Sequence, residues 1–86
     1  MKVGDRVVWV DAIGEQMPAL VTAIWGTGDA PCINVVFVSR DETRTDTYGR
    51  QIERQTSVVH RSQQKAHGWY WMHEGDTPNP RIAVQA

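Results

Sequence analysis

The residues best suited to chemistry lie in the stretch SVVHRSQQKAHGWYW, residues 57–71. This stretch combines two histidines, an arginine, a lysine, two glutamines and three consecutive aromatic residues. Imidazoles exchange protons near neutral pH and bind metals, arginines bind anions, and aromatic rings stack on planar groups. The segment therefore contains the first candidates for a binding or catalytic site.

The histidines and the single cysteine do not indicate a metal centre. His60, His67 and His73 are spread along the C-terminal part of the chain, and Cys32 lies far upstream. Structural zinc sites usually take four ligands, arranged in closely spaced pairs that include thiolates. With one thiol in the chain, the sequence predicts no metal site and no cofactor.

The sequence also lacks the arrangements that are typical of catalysis. Cys32 follows Pro31 and opens the apolar run CINVVFV, which is the setting of a buried hydrophobic residue. There is no G-x-S-x-G nucleophile turn and no G-x-x-x-x-G-K phosphate loop. The paired carboxylates Asp41 and Glu42 belong to a polar segment that we expect in water. We therefore expect that the protein is not an enzyme.

Charge is distributed unevenly along a chain whose net charge is −1. Residues 50–67 carry +3, whereas the residues before them carry −3. The charged residues of this positive segment are Arg50, Glu53, Arg54, Arg61 and Lys65. Arginine binds carboxylates and phosphates through paired hydrogen bonds. Two interpretations stay open: a solvated face with local ion pairs, or a patch that binds an acidic group.

Length and composition predict one small domain with a modest core, since 41% of the 86 residues are hydrophobic. We expect a domain over residues 1–73 and a C-terminal tail over residues 74–86, which holds two prolines and a Gly-Asp turn. No apolar run is long enough to cross a bilayer, and the N-terminus does not match a signal peptide. Because a single cysteine is typical of a reducing compartment, a cytoplasmic protein is expected.

Five short strands are predicted from apolar and β-branched residues, at residues 5–10, 19–25, 32–38, 56–60 and 69–73. The turn GTGDAP between the second and third strands predicts an antiparallel hairpin. Residues 11–18 are expected to form a loop, and the charged residues 39–55 a long exposed loop. One helical turn is predicted in residues 62–68, begun by Ser62 and ended by Gly68.

These elements predict an all-β fold, a small five-stranded antiparallel barrel with one short helical turn before the last strand. The segments KVGDRVVW, PALVTAIWG and INVVFV resemble the opening of SH3-like barrels of the Tudor and KOW type. The resemblance covers residues 2–38 well and residues 56–72 loosely, and it implies a binding module. In size and tail the chain is also similar to short phage and prophage proteins, which implies the cytoplasm of a bacterial host.

The aromatic residues are further candidates for contacts, because four tryptophans are many for so small a core. Successive side chains of a strand point to opposite faces, so Trp69 and Trp71 are expected to share one face. We expect one pair of aromatic residues in the core. Two interpretations stay open for the other pair: it is partly exposed, or all four tryptophans close the small barrel. The candidate ligand-binding residues are Tyr48, Arg50, Arg54, His60, Arg61, Gln64, His67, Trp69 and Trp71.

The sequence thus favours a non-enzymatic binding module of phage-accessory type, which binds a protein partner through residues 48–71. One alternative is a protein that captures a nucleotide or blocks a host-defence protein, with its pocket at the interface of a homo-oligomer. Another alternative is KOW-like nucleic-acid binding, which the net charge of −1 disfavours. No membrane partner is expected.

Overall fold

The computed structural model describes residues 1–64 and 68–80, and this part of the chain is mostly β. The strands are β1 (Arg6–Val10), β2 (Gln16–Trp25), β3 (Cys32–Val38), β4 (Thr45–Asp46), β5 (Gly49–Arg50), β6 (Ile52–Val58) and β7 (Tyr70–Met72). A single 3-10 turn, Arg61–Gln63, precedes β7. Five strands form one curled antiparallel sheet, in the order β6-β3-β2-β1-β7, which makes a half-barrel. Strands β4 and β5 form a separate small hairpin.

The inner face of the curled sheet carries the main hydrophobic core. Alternate residues of each strand point inward, as the two-residue period of a strand requires. At the centre, Trp9 of β1 and Phe37 of β3 stack with ring centroids 4.5 Å apart. The buried residues of this cluster are Val7, Trp9, Met17, Ala19, Val21, Ile33, Val35, Phe37, Val58 and Trp71.

A second, smaller cluster covers part of the outer face, where β7 pairs with β1. Val10, Tyr70 and Met72 are buried there, with Val8 and Val59 packed against them. This end of the outer face is therefore shielded from water.

Strand β2 begins at Gln16, so the expectation of a loop through residue 18 is wrong for its last three residues. Met17 is buried in alternation with Ala19 and Val21, and this inward pattern extends the strand. The pairing of β2 with β3 begins at Leu20, so Pro18 pairs on one side only, with β1. A proline is tolerated at such a position because no second neighbouring strand requires a hydrogen bond from the N–H group that proline lacks.

Strand β6 spans Ile52–Val58, which corrects both the predicted strand at 56–60 and the predicted loop through residue 55. Its sequence IERQTSV is largely polar because β6 is an edge strand that pairs only with β3. The expected loop also contains the β4–β5 hairpin. The strand predicted at 32–38 and the hairpin of β2 with β3 are confirmed. The strands predicted at 5–10 and 69–73 exist but are shorter, at Arg6–Val10 and Tyr70–Met72.

The helical turn is the 3-10 turn, and its N-cap is His60 rather than Ser62. An imidazole nitrogen takes the place of the expected hydroxyl. Lys65, Ala66 and His67, which complete the predicted turn, lie outside the described residues.

The chain that follows edge strand β6 meets the other edge strand, β7, at one point. His60 forms an isolated bridge with Trp71, in which the Trp71 amide donates to the Val59 carbonyl at 2.9 Å. The Trp71 indole Nε1 also donates to the carbonyl of Pro31 at 2.9 Å, inside the core. The contacts of Trp71 therefore stabilise the curvature of the sheet. No helix within the described ranges is long and apolar enough to cross a membrane.

We expect Trp71→Phe to lower the free energy of unfolding by about 2–4 kcal/mol, because it leaves a cavity and an unpaired buried carbonyl. Urea denaturation followed by circular dichroism measures this loss. Trp25→Phe, at an exposed tryptophan that also donates a hydrogen bond, is the matched control and should cost less than about 1 kcal/mol. Equal losses in the two variants would contradict the central role of Trp71.

Candidate functional site

The structure distributes the candidate residues over three places instead of one. Tyr48 is at the tip of the β4–β5 hairpin and is almost fully exposed. The Arg50 guanidinium donates to the Ser39 carbonyl at 2.9 Å, and Arg54 is exposed on β6. The remaining described candidates lie around the 3-10 turn and β7, and His67 lies outside the described residues.

The cationic, glutamine-rich turn holds the segment that follows β7. Arg61 Nη1 donates to the Thr77 carbonyl at 3.0 Å. Asn79 Nδ2 donates to the Arg61 carbonyl and to Gln64 Oε1, both at 2.8 Å, and Gln64 Nε2 donates to the Gly68 carbonyl. Arg61 and Gln64 therefore bind the protein's own backbone.

His60 is placed between the 3-10 turn and the core. Its Nδ1 accepts from the Ser62 amide at 3.2 Å, and its ring meets the edge of Trp71 with centroids 4.6 Å apart. The buried Nε2 has no hydrogen-bond partner among residues 1–64 and 68–80. Because the Nδ1 lone pair caps the turn, the arrangement fits the neutral imidazole.

The pKa of His60 is lowered from its ordinary value, mainly because burial disfavours the charged ring. The nearby His73, whose ring centroid is 5.8 Å away, and Arg61 lower it further. Asp76 acts in the opposite direction. Protonation of His60 would place a new positive charge beside these groups and remove the acceptor for Ser62.

The four tryptophans divide into two buried and two exposed. Trp9 and Trp71 belong to the core, whereas Trp25 and Trp69 are 56% and 45% exposed. The indole Nε1 of Trp25 is tied to Asn34 Oδ1 at 2.9 Å. Trp69 precedes β7, so strand alternation does not place it with Trp71. Trp69 is thus the candidate aromatic residue near β7 that offers an open ring.

Trp69 lines a surface depression of about 360 Å³, which we call the Trp69 depression. It lies where the turn between β1 and β2 approaches β6 and the segment before β7. The residues that line it are Trp9, Asp11, Ala12, Ile13, Arg40, Gln55 and Trp69. It therefore joins an open indole, a core indole and three polar side chains.

Asp11 organises the polar side of the depression. Its Oδ1 accepts the amides of Ile13 and Glu15 at 3.0 and 2.9 Å, which fixes the turn between β1 and β2. Its Oδ2 accepts Arg40 Nη2 at 2.5 Å, and Arg40 also pairs with Glu15. One arginine is thus shared by two carboxylates, so these three charges give this side a net charge of −1.

The depression presents groups that suit a neutral or polar chain. The indole of Trp69 offers a face for stacking, and the Gln55 amide both donates and accepts hydrogen bonds. Trp9 is buried, and its Nε1 lacks a hydrogen-bond partner in the part of the chain that the structure describes.

The candidate residues chosen from the sequence do not include Asp11, Ile13 or Arg40, and Gln55 enters only as part of the predicted binding segment 48–71. The motif DAIG carried a usable signal, because aspartate before a glycine turn commonly accepts nearby amides. The pairing of Asp11 with Arg40 has no sequence signal, because 29 positions separate the two residues. Of the residues that line the depression, only Trp69 is also among the candidate ligand-binding residues predicted from the sequence.

Within the described ranges no three histidine, cysteine, aspartate or glutamate side chains are grouped as metal ligands would be. Comparisons with protein-family models, with curated proteins and with solved structures each found no match. The fold and the depression define a small β half-barrel with an open aromatic surface.

We expect stability to fall as the pH is lowered from 7.5 to 5.5. The pKa of His60 is lowered in the folded state, so the unfolded chain binds more protons below about 6.5. The contribution of neutral His60 is complete above that pH and is lost as the pH falls toward the folded-state pKa. Urea denaturation at a series of pH values measures the slope.

The control for this prediction is His60→Asn, which keeps a side-chain oxygen that can cap the turn and removes the titrating group. Its stability should depend less on pH over the same range. The same slope in the variant and in the natural chain would contradict the role assigned to His60.

Proposed function

We propose that the protein is a non-enzymatic binding module that takes an extended segment of a protein partner at the Trp69 depression. The observation that carries the proposal is the open indole of Trp69, 45% exposed, beside polar groups held in fixed positions. Exposed aromatic residues next to arginine are enriched where proteins bind each other.

The charge of the depression favours a peptide over a nucleotide. Arg40 is already paired with Asp11 and Glu15, so little positive charge is left for a phosphate. Arg61, in the 3-10 turn before β7, binds the Thr77 carbonyl and faces Asp76 at 4.0 Å. A partner with aromatic, apolar or cationic side chains fits this environment.

The position of Gln55 suggests how the partner lies. Gln55 belongs to β6, whose second edge carries no strand in the described sheet order. An extended segment can pair with the free backbone groups of such an edge and place one side chain in a neighbouring depression. On this proposal, β6 supplies the backbone contacts and Trp69 supplies the selectivity.

We assign the half-barrel to the SH3-like type as part of the same proposal. The meander of β1, β2 and β3, the 3-10 turn before the last strand, and the pairing of β7 with β1 support it. The role as a phage accessory protein, or as an inhibitor of host defence, stays a hypothesis drawn from size and tail.

The test uses peptides selected from a displayed random library against the full chain, with affinities measured by calorimetry. Trp69→Ala should weaken binding of the selected peptides at least about tenfold, because it removes the aromatic contact. The matched control is Trp25→Ala, at a tryptophan of similar exposure on another part of the sheet, which should change affinity less than about twofold.

Circular dichroism establishes that both variants keep the fold. Peptides that bind Trp69→Ala and the natural chain equally well would place the site elsewhere. Nucleotides, or DNA and RNA at low salt, are assayed in parallel. Binding of one of them that is lost in Trp69→Ala would replace the protein partner with that ligand.

A further inference from the structure

The position of Trp69 is set by the backbone on each side of it. Tyr70, which follows Trp69, pairs with β1 in the sheet. Gly68, which precedes it, is bound by residues 60–64, which we call the His60 turn, because Gln64 Nε2 donates to the Gly68 carbonyl at 2.6 Å. Among the described residues no second hydrogen bond holds Gly68, and glycine has the widest backbone freedom of any residue. The His60 turn therefore fixes the chain just before Trp69.

The His60 turn is also tied to the segment that follows β7. Arg61 Nη1 donates to the Thr77 carbonyl, and Asn79 Nδ2 donates to the Arg61 carbonyl and to Gln64 Oε1. The 3-10 helix of the turn has no buried residue, and each of these hydrogen bonds is exposed or partly exposed. Elements that are held by such bonds open locally at a smaller cost in free energy than the core. The turn is therefore able to open while the sheet stays folded.

The neutral ring of His60 caps this turn. Its Nδ1 accepts from the Ser62 amide at 3.2 Å and lies 2.9 Å from the Ser62 hydroxyl oxygen. A charged imidazole carries a proton on each nitrogen and accepts no hydrogen bond. The hydroxyl can then rotate and accept from Nδ1, but the amide loses its acceptor. The buried Nε2 has no acceptor among residues 1–64 and 68–80 in either form.

The groups around the His60 ring disfavour a positive charge on it. Arg61 belongs to the same turn, and the His73 ring, directly after β7, lies 5.8 Å away between centroids. Trp71 packs against the ring at 4.6 Å and offers no acceptor. Asp76 acts in the opposite direction, but its Oδ2 already accepts the His73 amide at 3.1 Å and faces Arg61 at 4.0 Å. A charge on His60 therefore favours an arrangement in which the ring reaches water.

We propose, on the basis of the function assigned to the Trp69 depression, that protonation of His60 opens the His60 turn and thereby weakens the binding of a partner there. The open turn releases Gly68, so the backbone before Trp69 is no longer held. A partner then binds at the additional cost of ordering Trp69. The sheet stays folded, because the pairing of β7 with β1 does not involve the turn.

The direction of the pH dependence follows from the two forms of the turn. In the closed form the pKa of His60 is lowered, first by burial and then by His73 and Arg61. In the open form the ring is in water and has its ordinary pKa of about 6.5. The open form therefore binds more protons, and the ratio of open to closed molecules rises as the pH falls below about 6.5. One proton changes this ratio by at most about tenfold per pH unit.

Amide hydrogen exchange of the full chain, measured by NMR without a ligand, tests the opening. The protection of the Ser62 and Asn79 amides should fall about twofold to tenfold between pH 7.5 and 5.5. Low concentrations of urea should leave their exchange unchanged, because local opening exposes little surface. Urea should accelerate the exchange of core amides such as that of Val35. Protection of Ser62 and Asn79 that does not change with pH, or that responds to urea as the core does, would overturn the proposal.

His60→Asn separates His60 from other titrating groups, because asparagine can cap the turn and does not titrate. Its Ser62 protection should be the same at both pH values, whereas His67→Asn and His73→Asn, the matched controls, should keep the pH dependence. If His60→Asn fails to fold, the imidazole signals of His60 in the natural chain give the midpoint of its titration. Loss of Ser62 protection at a different midpoint would contradict the role of His60.

The effect on binding is measured by calorimetry with library-selected peptides that contain no histidine. Regulation requires that the turn be open in about half of the molecules or more at pH 5.5, so the affinity should fall at least about twofold from pH 7.5. In His60→Asn it should be the same at both pH values. Equal affinities in the natural chain, for peptides whose binding Trp69→Ala abolishes, would refute the regulation and leave the proposed function intact. Because amide exchange needs no peptide, the two failures are distinguishable.

Discussion

The structure depends on one residue, Trp71, because it joins parts of the chain that the sheet alone leaves apart. Its backbone pairs with Trp9 of β1, and its amide bonds Val59 after β6. Its indole bonds Pro31 before β3, and its ring supports His60. These contacts bring the first, third and last strands and the end of β6 to one point. The curl of the sheet, and with it the Trp69 depression, follows from that point.

The segment of residues 57–71, which first suggested a site, mainly makes contacts within the protein. Its excess of arginine and glutamine predicts a ligand when read along the chain, yet Arg61 and Gln64 bind Thr77, Gly68 and Asn79 of the same chain. A small domain has few apolar residues with which to fasten its last segment. Long polar side chains that bond backbone carbonyls do this without enlarging the core.

The sequence pattern predicted the elements that are determined by residues close together in the chain. Strands β1 and β3 and the hairpin of β2 with β3 were predictable because apolar alternation and a glycine-rich turn specify them. Strand β6 was not, since an edge strand needs few apolar residues and is paired by distant backbone. Of the residues that line the Trp69 depression, only Trp69 was predicted as a candidate site residue. Asp11 and Arg40 are far apart in the sequence and are brought together by the curl of the sheet.

The pairing of β1 with β7 joins residues near the two ends of the described chain. During synthesis, β1, β2 and β3 can form a meander early, but Trp9 has no β7 neighbour until Met72 has left the ribosome. A contact of such long sequence separation closes late in folding. The inner face of this meander is uncovered in that interval, when nascent chains are prone to associate. Because β7 is the last strand of the chain and pairs with β1, the addition of β7 to the sheet ends this period of exposure.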